Sequence, residues 1–302
     1  MASGAMMRSN FQRFLFPGLR DIILNEYQQP TAFEDCLRVE SSSAAFEEMR
    51  TLAGMGLFVK TPEGTESPID AFKDGFPKRF QHDDWSLAVG HSHQMLRDTK
   101  NMRIINERAS DLGRSARSTR EITNSSPYNL AFDGSTLGPD GVALCSSAHP
   151  NVKGGTQSNI VTLVGTLSIA TVRSALTQAR RFFDDTGVRR VSWRLEKLIV
   201  PPELEFDAQE ILTSAGRPDT ANRADNVLKG RLSSYVHDYL EDTNNYFFQT
   251  DKKSHNIYVF VRERFNTRTY LDESPRVMWL SAAYAESVGW SHWCGLLGAV
   301  VA

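Results

Sequence analysis

Two histidines separated by one residue, His91 and His93, form the pair whose types and spacing best suit a metal ion. Alternate residues of a β-strand share a face, so both imidazoles could bind one zinc or manganese ion there. Asp83, Asp84 and Asp98 are near in the chain, but none stands at a recognisable third ligand position. A metal-dependent hydrolase is therefore one hypothesis, without a complete ligand set.

Glycine-containing motifs elsewhere lack the residues that their chemistry requires. Gly54 and Gly56 have no third glycine of a dinucleotide fingerprint, and the run from Lys153 to Thr156 does not have the order of a phosphate-binding loop. No GxSxG nucleophile elbow is present. We accordingly assign no catalytic, cofactor-binding or metal-binding residue and expect no cofactor.

Residues 140–159, DGVALCSSAHPNVKGGTQSN, are dense in turn-forming residues. Glycine reaches backbone angles that are closed to other residues, and Pro150 fixes its own angle and favours an extended His149. The segment is predicted to be an ordered loop that joins two packed elements. An active-site loop is the alternative, although no nucleophile, base and orienting group can be assigned in it.

The composition is that of an ordinary folded protein. Of 302 residues, 40% are hydrophobic and 23% are charged, and the formal net charge of −2 argues against non-specific DNA binding by the whole chain, though not by a local patch. Three widely spaced cysteines form no disulfide framework, as expected for synthesis in a cytoplasm. The sequence shows no standard signal peptide and no membrane span.

A long helix is the strongest element and is predicted over about residues 92–124. Its apolar stripe contains Met102, Ile105, Ala109, Leu112 and Ala116. A glycine at position 113 should weaken its centre, and the proline at 127 should close it. The arginines on another face are predicted to be solvated or ion-paired; a track for nucleic acid is the alternative.

The other elements indicate a mixed α/β unit. We predict an amphipathic segment after a break at Pro17–Gly18, and a helix from an N-cap at Ser168 to residue 185, ended by Gly187. Leu195–Val200 is predicted as a strand, followed by a helix over 203–214 that Pro201 and Pro202 open. Further strands are predicted at residues 57–59, 232–239, 245–250, 257–262 and 276–285.

Motifs along nearly the whole chain resemble those of one protein family. They are FLFPGLRDIILNEY (14–27), GMGLFVKTPEGTESPIDAFKDGF (54–76), the long helix, DGVALCSSAHP with GGTQSN, LIVPPELEFDAQEIL (198–212), residues 222–229 and WSHWCGLLG near the end. In their shared order they resemble the tailed-bacteriophage major capsid proteins of the Hong Kong 97 type, most closely the Mu-like major head subunit branch. Cys145 stands where that family usually has phenylalanine.

This resemblance implies an α+β, Hong Kong 97 type phage capsid fold. Its parts would be an N-terminal arm (1–50), an extended-loop region (51–90), a peripheral domain with the long spine helix (91–194), an axial domain (195–262) and C-terminal strands returning to both domains (263–302). The arm and the loop would reach over neighbouring subunits. The expected subunit-interface residues are Phe14 and Phe16 in the arm, and Phe58, Lys60, Phe72 and Phe76 in the loop.

The resemblance also implies a structural role without enzymatic activity. The expected function is self-assembly into pentamers and hexamers of an icosahedral virion shell that encloses double-stranded DNA, which the subunit would contact at most weakly. Scaffold, portal and decoration proteins are further expected partners, and no membrane is expected. The alternatives are a hydrolase that uses His91 and His93, and a nucleic-acid-binding protein that uses the arginines of the long helix.

Overall fold

Two four-stranded sheets contain most of the strand residues of the computed structural model, which describes residues 8–31, 33–70, 73–92, 103–163, 165–216, 225–272 and 277–301. Helices and sheets are mixed, which confirms the α+β class. None of the helices in the described ranges combines the length and apolar character needed to cross a membrane.

In chain order the elements are α1 (Arg8–Tyr27), β1 (Arg38–Ser41), β2 (Phe46–Leu52), β3 (Asp74–Gln81), β4 (Asp83–Ser92), α2 (Arg103–Asn129), β5 (His149–Pro150), β6 (Thr156–Gln157), α3 (Ile169–Ala179), β7 (Leu195–Val200), a 3₁₀ turn (Pro202–Leu204), α4 (Glu205–Thr213), β8 (Ser233–Val236), β9 (Tyr246–Thr250), β10 (Ile257–Asp272), β11 (Val277–Trp290) and β12 (Leu296–Ala299).

The first sheet has the strand order β1-β10-β11-β4 and supports both long helices. Its centre is the antiparallel pair β10 and β11, in which β10 has register irregularities between Val261 and Asn266. Apolar side chains of α1 and α2 pack on this sheet. That buried cluster consists of Leu19, Ile23, Ile105, Ala109, Leu112, Met278, Leu280 and Ala282.

The N-terminal segment therefore packs on its own chain, at least from residue 17 onward. Leu19 and Ile23 are each 1% exposed, although the sequence suggested an arm without a core. The helix α1 also continues through Pro17, where a break was predicted. Burial of its apolar face against α2 and the sheet supplies the stabilisation that outweighs the unfavourable proline.

The spine helix is confirmed in place, with different ends. Its described part begins at Arg103 and ends at Asn129, so the predicted stop before Pro127 was wrong. Pro127 lies so near the C-terminus of α2 that it removes one hydrogen bond of the last turns rather than interrupting the helix. Ser92, where the helix was predicted to begin, is instead the last residue of β4, and residues 93–102 lie outside the described part.

Gly113 in α2 marks the closest approach of α1. A Cβ atom at this position would lie 2.5 Å from the carbonyl oxygen of Ile23 and 2.9 Å from the Cβ atom of Glu26. The first of these atoms belongs to the backbone and cannot turn aside as a flexible side chain would. The glycine that weakens the helix locally is therefore required for the packing of the two helices.

Replacing Gly113 by alanine should consequently destabilise the subunit. Helix propensity alone would favour alanine by about 1 kcal/mol, but we expect a net loss of roughly 1–3 kcal/mol because overpacking forces the two backbones apart. Urea unfolding measures the change. The control is Ser115→Ala, at an exposed position of the same helix, which should stay within about 0.5 kcal/mol of the wild type. An increase in stability for Gly113→Ala would contradict the close packing.

The second sheet has the strand order β12-β9-β7-β8 and lies in the main hydrophobic core. The predicted strand Leu195–Val200 is confirmed, and the two prolines after it open the 3₁₀ turn and α4. Ser168 caps α3 through a reciprocal capping box with Thr171, as predicted for the cap. The helix α3 ends at Ala179, earlier than residue 185, and Gly187 instead lies in a later turn with φ +70°.

The sequence-based regions do not follow the strands in two places. The strand β10 runs through residue 262, where the boundary of the axial domain was placed, and β4 belongs to the first sheet although it was included in the extended-loop region. Residues 57–59 are not a strand. Their position in a segment with glycines and prolines at both ends prevents strand pairing.

Candidate functional site

The connection between β2 and β3 exposes an unusual number of apolar side chains. We call residues 53–70, its described part, the apolar loop; it contains no helix or strand. Phe58 has a relative exposure of 107% and Ile69 one of 98%. The other large exposed apolar residues here are Met55, Leu57, Val59 and, at the end of β2, Leu52. A contiguous exposed apolar segment of this kind is typical of a surface that binds another protein.

The base of the apolar loop is tied to its own subunit. The Asp70 carboxylate accepts hydrogen bonds from the Gly56 N–H group at 2.7 Å and from the Lys153 Nζ atom at 2.9 Å. These bonds join the two limbs of the loop and attach them to the segment between β5 and β6. The Lys153–Thr156 motif, which only superficially resembled a phosphate loop, thus positions the apolar loop.

The predicted interface residues differ in their environments. Phe58 and Lys60 are exposed in the apolar loop, whereas Phe76 is half-buried in β3. Phe72 and the side chains of Phe14 and Phe16 lie outside the described part of the structure. The sequence reasoning missed Leu52, Met55, Leu57, Val59 and Ile69 because it gave weight to aromatic residues; the unbroken run of apolar residues 57–59 was the available signal.

The histidine of residues 140–159 is part of a buried hydrogen-bond network. The His149 Nδ1 atom lies 2.6 Å from the Asp140 carboxylate, and its Nε2 atom lies 3.0 Å from the Asn159 Oδ1 atom. Asn159 in turn donates to the carbonyl oxygens of Leu144 and Leu296. The ring also stacks on Trp293, with centroids 4.7 Å apart.

This network has a structural role. His149 and Asn159 are 0% exposed, so no substrate reaches the imidazole. Both ring nitrogens have a hydrogen-bond partner inside the subunit, Asp140 on one side and Asn159 on the other. The interactions fix residues 140–159 to the C-terminal strand β12, which confirms the ordered loop that joins packed elements.

The proposed metal pair is not supported by the surroundings of its described member. The His91 ring is 0% exposed in β4, and burial together with the charge of Arg108 lowers its pKa. Neither ring nitrogen has a hydrogen-bond partner among the described residues. His93, the other member of the pair, lies outside the described part of the structure.

A second group has ligand-type atoms close together, namely Asp185, His292 and Cys294, whose atoms lie within 4.8 Å of one another. The His292 Nδ1 atom accepts the Cys294 N–H group at 3.1 Å, so the neutral ring carries its proton on Nε2, 3.3 Å from Asp185. A metal-binding histidine normally donates from its second nitrogen. Burial and nearby carboxylates also raise the pKa of the Cys294 thiol. The group therefore suits hydrogen bonding better than metal binding.

Several arginines of α2 bond to partners within the subunit, in agreement with the predicted solvated or ion-paired face. Arg103 pairs with a glutamate one turn later, Arg114 pairs with Glu26 of α1 at 3.3 Å, and Arg117 donates to Gln29 at 2.5 Å. Arg120 reaches the first sheet, where its Nε atom lies 3.1 Å from the carboxylate of Glu286. These contacts hold α2 to α1 and the sheet, which argues against the nucleic-acid track.

The family model and several solved structures that match this chain come from phage capsid proteins. A family model described as "Phage capsid protein" matches residues 77–297. A search of curated proteins gives no match.

Many solved structures share the fold at low sequence identity. The Bacteriophage JBD30 capsid has a TM-score of 0.59 at 14% identity, over 80% of this chain and 97% of the other. The capsid of Cyanophage P-SCSP1u gives 0.57 at 11% identity, over 91% and 89%. A chain from Microbacterium phage Oxtober96 gives 0.52 at 11% identity, over 99% and 100%.

Proposed function

Because this chain belongs to the phage capsid protein family, we propose that it is the major head subunit that packs into pentamers and hexamers of an icosahedral shell around double-stranded DNA. It has the Hong Kong 97 type capsid fold, while its place in the Mu-like branch remains a prediction. The observation that carries the proposed mechanism is the apolar loop, whose large apolar side chains are exposed on the single subunit.

The proposed mechanism is packing between copies. Burial of apolar area contributes about 25 cal/mol per Å², so the loop of each copy stabilises the shell when it lies on a neighbour. The bonds from Asp70 to Lys153 and Gly56 hold the base of the loop. These bonds order the base of the loop in the free subunit, so less conformational entropy is lost when subunits associate.

The two sheets support a proposed assignment of regions. The first sheet with α2 corresponds to the peripheral domain, to which the predicted bounds also assign α3, and the second sheet with α4 corresponds to the axial domain near the centre of each ring. The strand β10 belongs to the first sheet, and its first residues, Ile257 and Val259, also pack in the main core around the second sheet. We therefore propose that its register irregularities between Val261 and Asn266 are the place where a change in domain angle would require least rearrangement.

The proposed site of action is the virion, after synthesis in a bacterial cytoplasm. A portal, a scaffold and decoration proteins remain proposed partners. One of the similar structures is the capsid of bacteriophage JBD30 decorated with minor capsid protein trimers, which makes a decoration protein a reasonable candidate for a search by copurification. An enzymatic role has no support in the site geometry described above.

The test of this function is to express the full chain alone and to examine it by negative-stain electron microscopy together with sizing chromatography. We expect rings, tubes or closed shells in the images and a species far larger than a monomer in solution. Material that stays monomeric at every concentration, while remaining folded by circular dichroism, would contradict self-assembly.

A further inference from the structure

A second set of arginines lies away from α2, and its members have neither an ion pair nor a side-chain hydrogen bond among the described residues. Arg180, Arg194 and Arg231 line a cleft of about 390 Å³ between the C-terminal end of α3, the start of β7 and the turn before β8. We call it the arginine cleft; its remaining lining residues are Leu176, Trp193, Leu195, Glu196 and Gly230. Among the described residues, none of the three guanidinium groups makes an ion pair or a side-chain hydrogen bond.

The charge of the arginine cleft is unbalanced. Three guanidinium groups face one carboxylate, that of Glu196, which leaves a net charge of +2 in the lining. All four side chains are exposed. In a chain whose formal net charge is −2, such a local excess of positive charge is a candidate site for an anion.

The extent of the positive surface indicates a polymer rather than a single carboxylate. Arg173 and Arg181 are also exposed arginines of this region without an ion pair among the described residues. Arg173 lies seven residues before Arg180, about 10.5 Å along a helix, and positions seven apart share a face. Guanidinium groups bind phosphate in a planar, bidentate manner, and DNA offers such groups at regular short intervals.

We infer that the arginine cleft binds the phosphate backbone of double-stranded DNA. The inference rests on the proposed function only in naming DNA as the polyanion. Binding of this kind is independent of base sequence and depends strongly on salt. Each copy contributes few contacts, so binding by one subunit is weak and a surface of many copies holds DNA by avidity.

The experiment measures binding of the full chain to a fluorescent duplex of about 30 base pairs by anisotropy, over a salt series from about 50 to 200 mM. The test variant carries Arg180→Ala, Arg194→Ala and Arg231→Ala. We expect its affinity to fall about tenfold or more at the lowest salt. The slope of log affinity against log salt concentration should become shallower by roughly 3, because each phosphate contact contributes about 0.9 to that slope.

The matched control removes the same charge from arginines of α2 that have partners within the subunit, with Arg103→Ala, Arg114→Ala and Arg117→Ala. It should keep the wild-type salt dependence. If circular dichroism shows that the test variant is unfolded, single Arg→Gln substitutions in the cleft replace it. Each should make the slope of log affinity against log salt concentration shallower by about 1.

Three results would overturn the inference: no salt-dependent binding by the wild type, equal loss in the test and control variants, or unchanged DNA binding with loss of assembly in the test variant. The last result would identify the cleft as a contact between copies. Shell formation is scored separately by electron microscopy, so failure of the proposed function is distinguished from failure of DNA binding.

Discussion

Replacing Leu57, Phe58 and Val59 together by serine is expected to abolish shell assembly while leaving the unfolding transition of the subunit unchanged. These side chains are exposed in the single subunit, so their removal costs the isolated fold little. We propose that in an assembled shell the same side chains are buried on a neighbour. Each buried large apolar side chain contributes about 1.5–3 kcal/mol, so the three substitutions should remove roughly 5 kcal/mol or more of association free energy per copy. The association constant should therefore fall by several orders of magnitude.

The measurement combines negative-stain microscopy with urea unfolding of the unassembled subunit. The control is Phe58→Leu, which keeps an apolar side chain at the most exposed position and should still assemble. Shells formed by the triple serine variant would contradict the role of the apolar loop. A lowered unfolding midpoint would show instead that the loop packs on its own subunit.

Replacing Arg120 by alanine is expected to be among the most destabilising single changes in the chain. Glu286, its partner in β11, is 2% exposed; its Oε2 atom accepts from Arg120, and its Oε1 atom has no hydrogen-bond partner among the described residues. Loss of the arginine leaves a buried, unpaired carboxylate, which costs about 3–5 kcal/mol. The double variant Arg120→Ala with Glu286→Leu should recover most of this loss, because neither charge then remains.

The destabilisation should depend on pH in a defined direction. Burial raises the pKa of Glu286, and the charge of Arg120 opposes that rise. A carboxyl group whose pKa is raised by folding binds more protons in the folded state, so stability falls as pH rises between its unfolded value, about 4.3, and its folded value. Without Arg120 the folded pKa rises further, and the cost of the substitution should shrink as pH falls through that window.

Urea unfolding at a series of pH values measures this effect. The control is Arg103→Ala, which breaks an exposed pair with Glu107 and should change stability by at most about 1 kcal/mol. A loss for Arg120→Ala no larger than that of the control, or a loss that does not change with pH, would contradict the buried charge pair.

The parts of the fold that the sequence predicted well are those governed by local chemistry. The strand Leu195–Val200 is a short apolar run stopped by proline, and Ser168 caps a helix whose apolar stripe follows directly. In both cases the deciding residues lie within a few positions of the element. The long helix was found for the same reason, through its apolar stripe.

Where prediction failed, partners distant in the sequence decide the structure. Pro17 does not break α1 because α2 and the first sheet cover the next turns of that helix. Gly113 appeared to be a weakness, but the backbone of Ile23 requires it. The partner that holds Arg120 comes from a strand 166 residues away, so a sequence pattern on one helix predicts ion pairing without naming that partner.

The candidate site was located in part. Phe58 and Lys60 were placed in an exposed loop, and the structure places them there. The aliphatic residues of the same loop were overlooked, and Phe76 contributes partly to the subunit itself because it lies in β3. Exposure is a property of the folded chain, and hydrophobicity alone does not distinguish a core residue from an exposed residue that contacts another subunit.

The most direct test of the central claim is a cryo-electron microscopy reconstruction of the particles that the full chain forms. We predict rings of five and six copies on an icosahedral lattice, with Phe58 of each copy buried against a neighbouring copy. Particles in which Phe58 stays in solvent or folds back onto its own subunit, or assemblies without such rings, would contradict this account.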